Sequence, residues 1–378
     1  MVIEASAPGR VNLIGEHTDY NGGRCLPFAI DLRTTVVLRP RPSPRVTVRS
    51  VQAGAAVTVE FGDLRPGVRR DWSAHPLGVL WALAEDGWPV PGMDVAIDGA
   101  VPPGAGLASS AALGCAVATA VAGLRGGLVD DATRDRLAAA CHRAETEFVG
   151  APTGGMDQAV AMRGSAGHAL LLDFGDGSRR SVPLAPADAG LTLQVIDTGH
   201  AHDLATEEGY ADRRRECAAA ADALGRPQLR GATAADLADI ADPVLRARAR
   251  HVVTEEERVD AVLVALEDAD WTAVGAALTA SHRSLRDDFA ASTSALDLAV
   301  DSALTAGALG ARLVGGGFGG SAVALTPRDR AADVRDAVDA AFAAADLPPP
   351  GHHEVTPAAG ASVTSAQRWT ARGPGAPR

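Results

Sequence analysis

Hydrophobic and polar positions alternate over much of the first hundred residues. Short runs rich in β-branched residues occupy 34–40, 45–50 and 56–61, separated by proline and glycine, and residues 93–99 alternate again. A period of two is typical of half-buried strands. The pattern predicts a strand-rich opening, with helical periodicity beginning near His75.

Two stretches with longer apolar content indicate helices. The run from Ala111 to Leu124 is about four residues too short to span a membrane, so we interpret it as a buried helix. Residues 131–149 place one apolar stripe at spacings of four, three and four, which predicts an amphipathic helix. The stripe consists of Leu137, Cys141, Ala144 and Phe148.

A junction is expected near residue 186, inside the segment 175–190, which is rich in Gly, Pro, Ser and charge. Beyond a strand at 191–198 the pattern predicts a mostly helical chain to about Gly307. It then predicts a strand, a glycine turn, a strand, a helix and a strand. We therefore expect an α+β fold with domains at 1–186 and 187–365, followed by a loose tail at 366–378.

Composition excludes several classes of function. With 378 residues, 47% of them hydrophobic, the chain can build about two domains. A net charge of -12 without a basic face argues against a nucleic-acid partner. All 35 Lys+Arg residues are arginine, which rules out a Walker A lysine and Schiff-base chemistry. The four cysteines form no CxxC pair and the N-terminus has no targeting pattern, so we expect a cytoplasmic protein without a membrane partner.

Residues 101–114, "VPPGAGLASSAALG", form a glycine turn that leads into serines and a helix. Such a turn directs backbone N–H groups at an anion, and the helix dipole adds positive potential there. The stretch therefore predicts a phosphate site.

Residues 7–23, "APGRVNLIGEHTDYNGG", concentrate polar side chains around two glycine turns: Arg10, Glu16, His17, Asp19 and Asn21. One interpretation is a solvated loop with a salt-bridge cluster. The other is a site for a polyhydroxylated ligand, since carboxylates accept paired hydrogen bonds from neighbouring hydroxyls.

Two more motifs are ambiguous when taken alone. "GAPTGGMDQ" (150–158) presents Asp157 near the start of a helical stretch, where a carboxylate also simply stabilises the helix dipole. "GGGFGG" (315–320) lies between two predicted strands, where glycines permit positive φ and a flexible hairpin is an equal explanation.

Together and in this order, the motifs resemble those of the GHMP small-molecule kinases, and among them the galactokinases. "GRVNLIGEHTDYNGG" resembles the sugar signature, "PPGAGLASSAAL" the phosphate-binding motif and "LVGGGFGGSAVAL" the C-terminal glycine motif; "MDQ", "EEGYADRRREC" and "SHRSLRDDF" add to a resemblance over roughly residues 5–365. One departure is Ala108, where galactokinases commonly have a serine.

The resemblance implies a two-domain GHMP kinase architecture. Its N-terminal domain is an α/β unit with a left-handed β-α-β crossover, its C-terminal domain is ferredoxin-like, and the active site lies between them. The implied activity is phosphorylation of galactose at C1 by ATP, with Mg²⁺ as cofactor, in a protein expected to be a monomer. Alternatives are a kinase for N-acetylgalactosamine or a pentose, and a non-catalytic sensor that binds galactose and ATP.

The resemblance also implies residue roles. Mg²⁺ would be held by Ser110 and Glu145; periodicity alone does not choose between Glu145 and Glu147. Asp157 would be the base and Arg10 would keep it ionised, with a lowered pKa, while stabilising the transferring phosphoryl group. The phosphates of ATP would meet Pro103, Gly104, Ala105, Gly106, Leu107, Ala108, Ser109 and Ser110. The galactose hydroxyls would meet Glu16, His17, Asp19, Gly154, Asp157 and Tyr210.

Overall fold

The computed structural model describes residues 1–126, 130–151, 153–199 and 208–367. Its first half contains β1 (Val2–Asn12), β2 (Arg24–Cys25), β3 (Pro27–Arg41), β4 (Arg45–Ser50), β5 (Ala55–Glu60), α1 (Ala74–Glu85), β6 (Gly92–Gly99), α2 (Ser109–Gly123), α3 (Asp131–Arg143), α4 (Met156–Arg163), β7 (His168–Asp173) and β8 (Arg179–Pro183). Its second half contains β9 (Leu191–Asp197), α5 (Glu208–Ala223), α6 (Pro243–Glu267), α7 (Trp271–Asp287), α8 (Ser294–Thr305), β10 (Gly310–Val314), β11 (Ser321–Pro327), α9 (Ala331–Ala344), β12 (Gly351–Val355) and β13 (Ser362–Gln367).

The largest sheet takes five of its six strands from the first half of the chain, whose other described strands form a three-stranded sheet in the order β2-β7-β8. Its strand order is β13-β1-β3-β6-β4-β5, in which β4 and β6 are parallel and the other pairs are antiparallel. The predicted stripe from Leu137 to Phe148 is buried in the core between this sheet and its helices. The run at 111–124 is buried too, as α2. The handedness of the crossover that joins β4 to β6 stays a prediction.

The second half builds an antiparallel sheet in the order β10-β11-β9-β12. Along the chain its elements run strand, helices, strand, strand, helix, strand. This sequence of elements, with the first strand between the third and the fourth, is the ferredoxin-like arrangement. The expected α+β class and the ferredoxin-like second domain are confirmed.

Two details differ from the sequence-based expectations. The segment 175–190 is not loose throughout, because it contains β8, which pairs with β7. The expected tail from residue 366 begins inside β13, whose last residues pair with Val2 and Ile3 of β1. The last described strand thus returns to the first sheet, and the remainder of the tail lies outside the described residues. β8 ends at Pro183 and β9, the first strand of the second-half sheet, begins at Leu191, while the domain boundary near 186 stays a prediction.

A continuous apolar core joins the two halves. It brings Val11, Leu13 and Phe28 of the first half together with Val259 and Leu278 of the second. The halves therefore share buried surface rather than meeting only through polar contacts. Among the described helices, none combines the length and the apolar character needed to cross a bilayer.

Candidate active site

An arginine–carboxylate pair marks the centre of the site. Arg10 lies on β1 beside an irregularity in its pairing with β3, and Asp157 is the second residue of α4. The Arg10 Nε and Nη2 atoms donate to the two Asp157 carboxylate oxygens at 2.8 Å each. Nη1 donates to the carbonyl oxygen of Gly106. Arg10 thus connects the first turn of α4 to the glycine turn before α2.

The electrostatics of Asp157 differ from the expectation of a lowered pKa. Burial raises the pKa of Asp157, and this outweighs the opposing influence of the positively charged Arg10. Glu145 adds to the upward shift through like-charge repulsion. Asp157 is therefore a stronger base than a carboxylate that only an arginine perturbs.

A cleft of about 410 Å³ opens next to this pair. It brings together every residue that the resemblance implied for the sugar, although their sequence positions extend from 16 to 210. Its lining consists of Arg10, Glu16, His17, Asp19, Thr153, Gly154, Gly155, Met156, Asp157, Tyr210, Gly315 and Gly316. Both halves of the chain contribute, and the charged side chains in the lining can hydrogen-bond the hydroxyls of a sugar.

Glu16 is fixed in the wall of the cleft by the second half of the chain. Its Oε1 forms an ion pair with Arg312, with Nη2 at 2.9 Å, and accepts a hydrogen bond from the Gly315 N–H at 2.8 Å. Burial raises the pKa of Glu16, while Arg312 opposes the shift. Arg312 is itself fully buried on β10 and donates to the carbonyl of Leu13 at 2.9 Å.

Aromatic rings form another part of the cleft. His17 adopts a left-handed backbone conformation (φ 64) and its Nδ1 lies 2.9 Å from the Tyr20 hydroxyl. Its ring centroid is 5.5 Å from that of Tyr210. Burial lowers the pKa of His17 well below its usual value, so the imidazole is neutral at pH 7.

Asp19 faces Gly154 across the cleft. A Cβ on Gly154 would lie 1.9 Å from the Asp19 Oδ2 atom, so only glycine permits this approach. Burial, together with the negative charges of Asp157 and Glu16, raises the pKa of Asp19 to about 6. The carboxyl group thus titrates just below neutral pH.

The glycine turn expected to hold phosphates lies at the N-terminus of α2, next to Arg10. Gly104 (φ 75), Gly106 (φ 72) and Ala108 (φ 58) all have left-handed backbones. The second glycine motif packs against this turn, and Ser321 Oγ donates to the carbonyl of Ala105 at 2.6 Å. The expected phosphate and sugar sites are therefore adjacent.

The residues expected to hold the metal also meet. Ser110 Oγ donates to Glu145 Oε1 at 2.8 Å, and Glu145 is buried in a π-helical turn, 144–149, that continues α3. Glu147 is exposed and pairs with Arg143. Of the two carboxylates that periodicity leaves open, Glu145 is therefore the one that lies beside Ser110.

This donor set fits Mg²⁺, which prefers oxygen ligands, takes one or two carboxylates and completes its shell with water and phosphate. Glu145 Oε2 accepts from Thr153 Oγ1 at 3.2 Å and from Gln158 Nε2, which fixes its orientation. Within the described ranges there is no cluster of three or more His, Cys, Asp or Glu side chains suited to a metal. A cage made only of protein ligands is therefore not found there.

Sequence reasoning missed two residues at the site. Arg312 is the single charge in the apolar strand "GARLV", and that isolation was the available signal. Thr153 lines the cleft and bonds Glu145, but its position in a glycine turn gave no indication of either contact.

Family models match three parts of the chain. The galactokinase galactose-binding signature matches residues 3–40, the GHMP kinase N-terminal domain residues 74–165 and the GHMP kinase C-terminal domain residues 262–344.

Comparisons over the whole chain agree with the family models. The chain is 45% identical to a galactokinase of Mycobacterium bovis over 365 residues, 96% of this chain and 99% of the relative. It is 46% identical to one of Streptomyces coelicolor over 370 residues, 94% and 92% of the two chains. A structure of Lactococcus lactis galactokinase complexed with galactose superposes with a TM-score of 0.89 at 29% identity, covering 96% and 95%. A mevalonate kinase of Methanococcus jannaschii, at 18% identity and TM-score 0.69 over 94% and 98%, shares the fold. The chain belongs to the galactokinase family of the GHMP kinases.

Proposed function

We propose that this protein phosphorylates D-galactose at the C1 hydroxyl, with ATP as donor and galactose 1-phosphate and ADP as products. The observation that carries the proposal is the position of Arg10, which contacts both Asp157 at the sugar cleft and the Gly106 carbonyl in the glycine turn. One guanidinium thus lies where an acceptor hydroxyl and a γ-phosphate would meet.

Asp157 is the proposed base. Its raised pKa brings the carboxylate nearer to the operating pH, which favours removal of the anomeric proton as the new O–P bond forms. Arg10 holds the carboxylate in place through two hydrogen bonds and offsets the negative charge on the transferring phosphoryl group.

The proposed nucleotide site is the turn from Pro103 to Ser110. Backbone N–H groups at the start of α2 bind phosphate oxygens without a lysine, because the amides and the helix dipole supply the positive potential. Ser110 and Glu145 would hold Mg²⁺, which when bound offsets charge on the β- and γ-phosphates. Thr153 and Gln158 keep Glu145 directed at that position.

Sugar recognition is assigned to Glu16, His17, Asp19, Asp157, Tyr210 and the backbone of Gly154. Carboxylates and a neutral imidazole accept hydrogen bonds from hydroxyls, and the Tyr210 hydroxyl can donate or accept. A sugar with one inverted hydroxyl leaves a buried partner unpaired, so rejection can reach roughly 10⁴-fold.

The test is ADP release by the purified protein with ATP and Mg²⁺ and, in turn, galactose, talose, N-acetylgalactosamine, glucose and arabinose. We expect galactose to be used far better than its C4 epimer glucose. Preference for N-acetylgalactosamine or arabinose would support the alternative sugars, and galactose binding without ADP release would support a sensor.

Location and assembly belong to the same proposal. ATP is available in the cytoplasm, and all four cysteines are free and buried, which suits a reducing compartment. Each half of the cleft comes from the same chain, so a monomer suffices for activity.

A further inference from the structure

Side chains of one helix in the second half, α6, hydrogen-bond both the N–H and the carbonyl group of Glu16. The Glu16 N–H donates to Glu255 Oε1 at 3.4 Å, and the preceding N–H, of Gly15, donates to the same oxygen at 2.9 Å. The Glu16 carbonyl oxygen lies 3.1 Å from His251 Nε2. Because a carbonyl only accepts, His251 carries its proton on Nε2.

The two residues that hydrogen-bond the Glu16 backbone are spaced to act together. His251 and Glu255 are four positions apart on α6, so their side chains lie one above the other on the same face. Both are fully buried. They meet the sugar-signature segment across the boundary between the halves of the chain.

Further contacts fix the side chains of both Glu255 and His251. Glu255 Oε1 also accepts from Ser281 Oγ of α7 at 2.8 Å, and Oε2 accepts from Arg258 Nε at 2.7 Å. Burial lowers the pKa of His251 to about 4, so the ring is neutral, and its Nδ1 lies 3.0 Å from Ser284 Oγ. The pKa of Glu255 is lowered to about 2, because the cost of its burial is outweighed by the positive charges of Arg258 and Arg312 and by the hydrogen bond from Arg258.

The side chain of Glu16 makes contacts that are separate from the hydrogen bonds between its backbone and α6. Its carboxylate is held by Arg312 and the Gly315 N–H, and its backbone by α6. The next residue, His17, packs its ring 4.4 Å from Phe289. A shift of the backbone at residues 15–16 would therefore move the carboxylate of Glu16 and the ring of His17 together.

We infer that Glu255 and His251 are positioning residues for galactose: they touch neither substrate, and they set the backbone from which Glu16 and His17 reach the sugar. The inference rests on the proposed function. Binding groups need to be held within a fraction of an ångström, and supporting hydrogen bonds provide that precision.

The decisive variant is Glu255→Gln. An amide has one accepting and one donating end, so a donor must face either the Gly15 and Glu16 N–H groups or Arg258, and the segment must shift. We expect the galactose KM to rise by about tenfold or more, since misplacement by about 1 Å can cost 10²-fold. The KM for MgATP should stay within about twofold, because the hydrogen bonds of Glu255 and His251 described above go to residues 15–16 and to α6 and α7, not to the glycine turn before α2.

The matched control is Glu257→Gln, which makes the same chemical change on the exposed side of α6. It should leave both KM values unchanged. A second variant, Ser281→Ala, removes one hydrogen bond to Glu255 and leaves its charge, so it should raise the galactose KM less. If Glu255→Gln fails to fold, Ser281→Ala decides: a galactose KM raised by more than about twofold with an unchanged MgATP KM supports the inference, and any other result overturns it.

Thermal shifts provide a readout that a merely structural role would not move. In Glu255→Gln the stabilisation by galactose should fall while the stabilisation by MgATP persists. A galactose KM within about twofold of wild type, or an equal rise in both KM values, would overturn the inference. A wild-type protein without galactose turnover would instead overturn the proposed function, and the inference with it.

Discussion

Asp157 experiences two opposing influences at the scale of a single residue. Arg10 favours the carboxylate, and burial disfavours it more strongly, so the pKa rises. From the sequence, the paired arginine suggested the reverse, because burial cannot be read from "GGMDQ". The raised pKa favours proton acceptance over pure charge pairing.

Asp157→Asn keeps the size and one acceptor oxygen but removes the basicity. If Asp157 is the base, kcat should fall by about 10²- to 10⁴-fold, while calorimetry still detects galactose and MgATP binding. A carboxylate that only stabilises a helix start would cost about 0.3–1 kcal/mol of folding free energy and no turnover. Asp131→Asn, at the exposed start of α3, is the control, and near-normal turnover in Asp157→Asn would exclude the base.

Asp19 should make galactose binding depend on pH. Its pKa is raised to about 6, and a sugar hydroxyl donates to the ionised form. As pH falls through 6 the carboxyl takes up a proton and loses an acceptor, so galactose affinity should fall, by up to about tenfold per pH unit. Calorimetric titrations between pH 5 and 8 measure this. Asp19→Asn should bind more weakly with a shallower pH dependence; an unchanged slope would assign the titration to another group.

Gly154 is required by the close approach of Asp19. In Gly154→Ala the new Cβ would lie 1.9 Å from Oδ2, so Asp19 must move. We expect a galactose KM raised by about tenfold or more, with the MgATP KM little changed. Gly62→Ala is the matched control, because its Cβ would meet nothing within 4 Å. Equal galactose KM values in the two variants would show that the position of Asp19 is unimportant.

At the scale of elements, the π-helical turn at 144–149 decides which carboxylate reaches the proposed metal position beside Ser110. A π turn shifts side-chain directions relative to an α-helix, and such turns are frequent at functional sites. Here it brings Glu145 to Ser110 and leaves Glu147 exposed. The change from α-helical to π-helical geometry could not be predicted from the sequence, because the apolar stripe over 131–149 fits a continuous α-helix.

Ser110→Ala and Glu145→Ala test this turn. Both should raise the Mg²⁺ concentration needed for half-maximal turnover, because each removes an oxygen donor, and both should leave galactose binding intact. Glu147→Ala changes the same residue type in the same turn and should behave like wild type. Metal titrations of turnover that coincide for all four proteins would place the ion elsewhere.

The strands show where sequence reasoning succeeded and where it failed. β3 to β6 follow visible alternation, and α4 begins beside Asp157 as expected. β1, which carries Arg10, was hidden because its residues are buried almost throughout and give no alternation. β13 is polar, and its pairing with β1 is set by a partner 360 residues away in sequence. Non-local pairing of this kind has no local signal.

At the scale of the whole molecule, the site depends on both halves. Arg10, Asp19 and Asp157 come from the first half, while Tyr210 and Gly315 come from the second. The resemblance of the motifs predicted this meeting, whereas spacing alone could not, since no local pattern reports which distant turns come together. The hydrogen bonds from α6 to the backbone of Glu16 are a further link between the halves.

The shared core predicts cooperative unfolding. Val11 and Phe28 pack with Val259 and Leu278, and separating the halves would expose this apolar surface to water. We therefore expect one urea transition, without the independent unfolding that two-domain proteins often show. Circular dichroism, dominated by the helices of the second half, and fluorescence, to which Trp72, Trp81 and Trp88 of the first half contribute together with Trp271 of α7, should give the same midpoint. Galactose should move both midpoints together, because its site uses both halves. Two separated transitions, or a galactose effect on one probe alone, would show that the halves are stable independently.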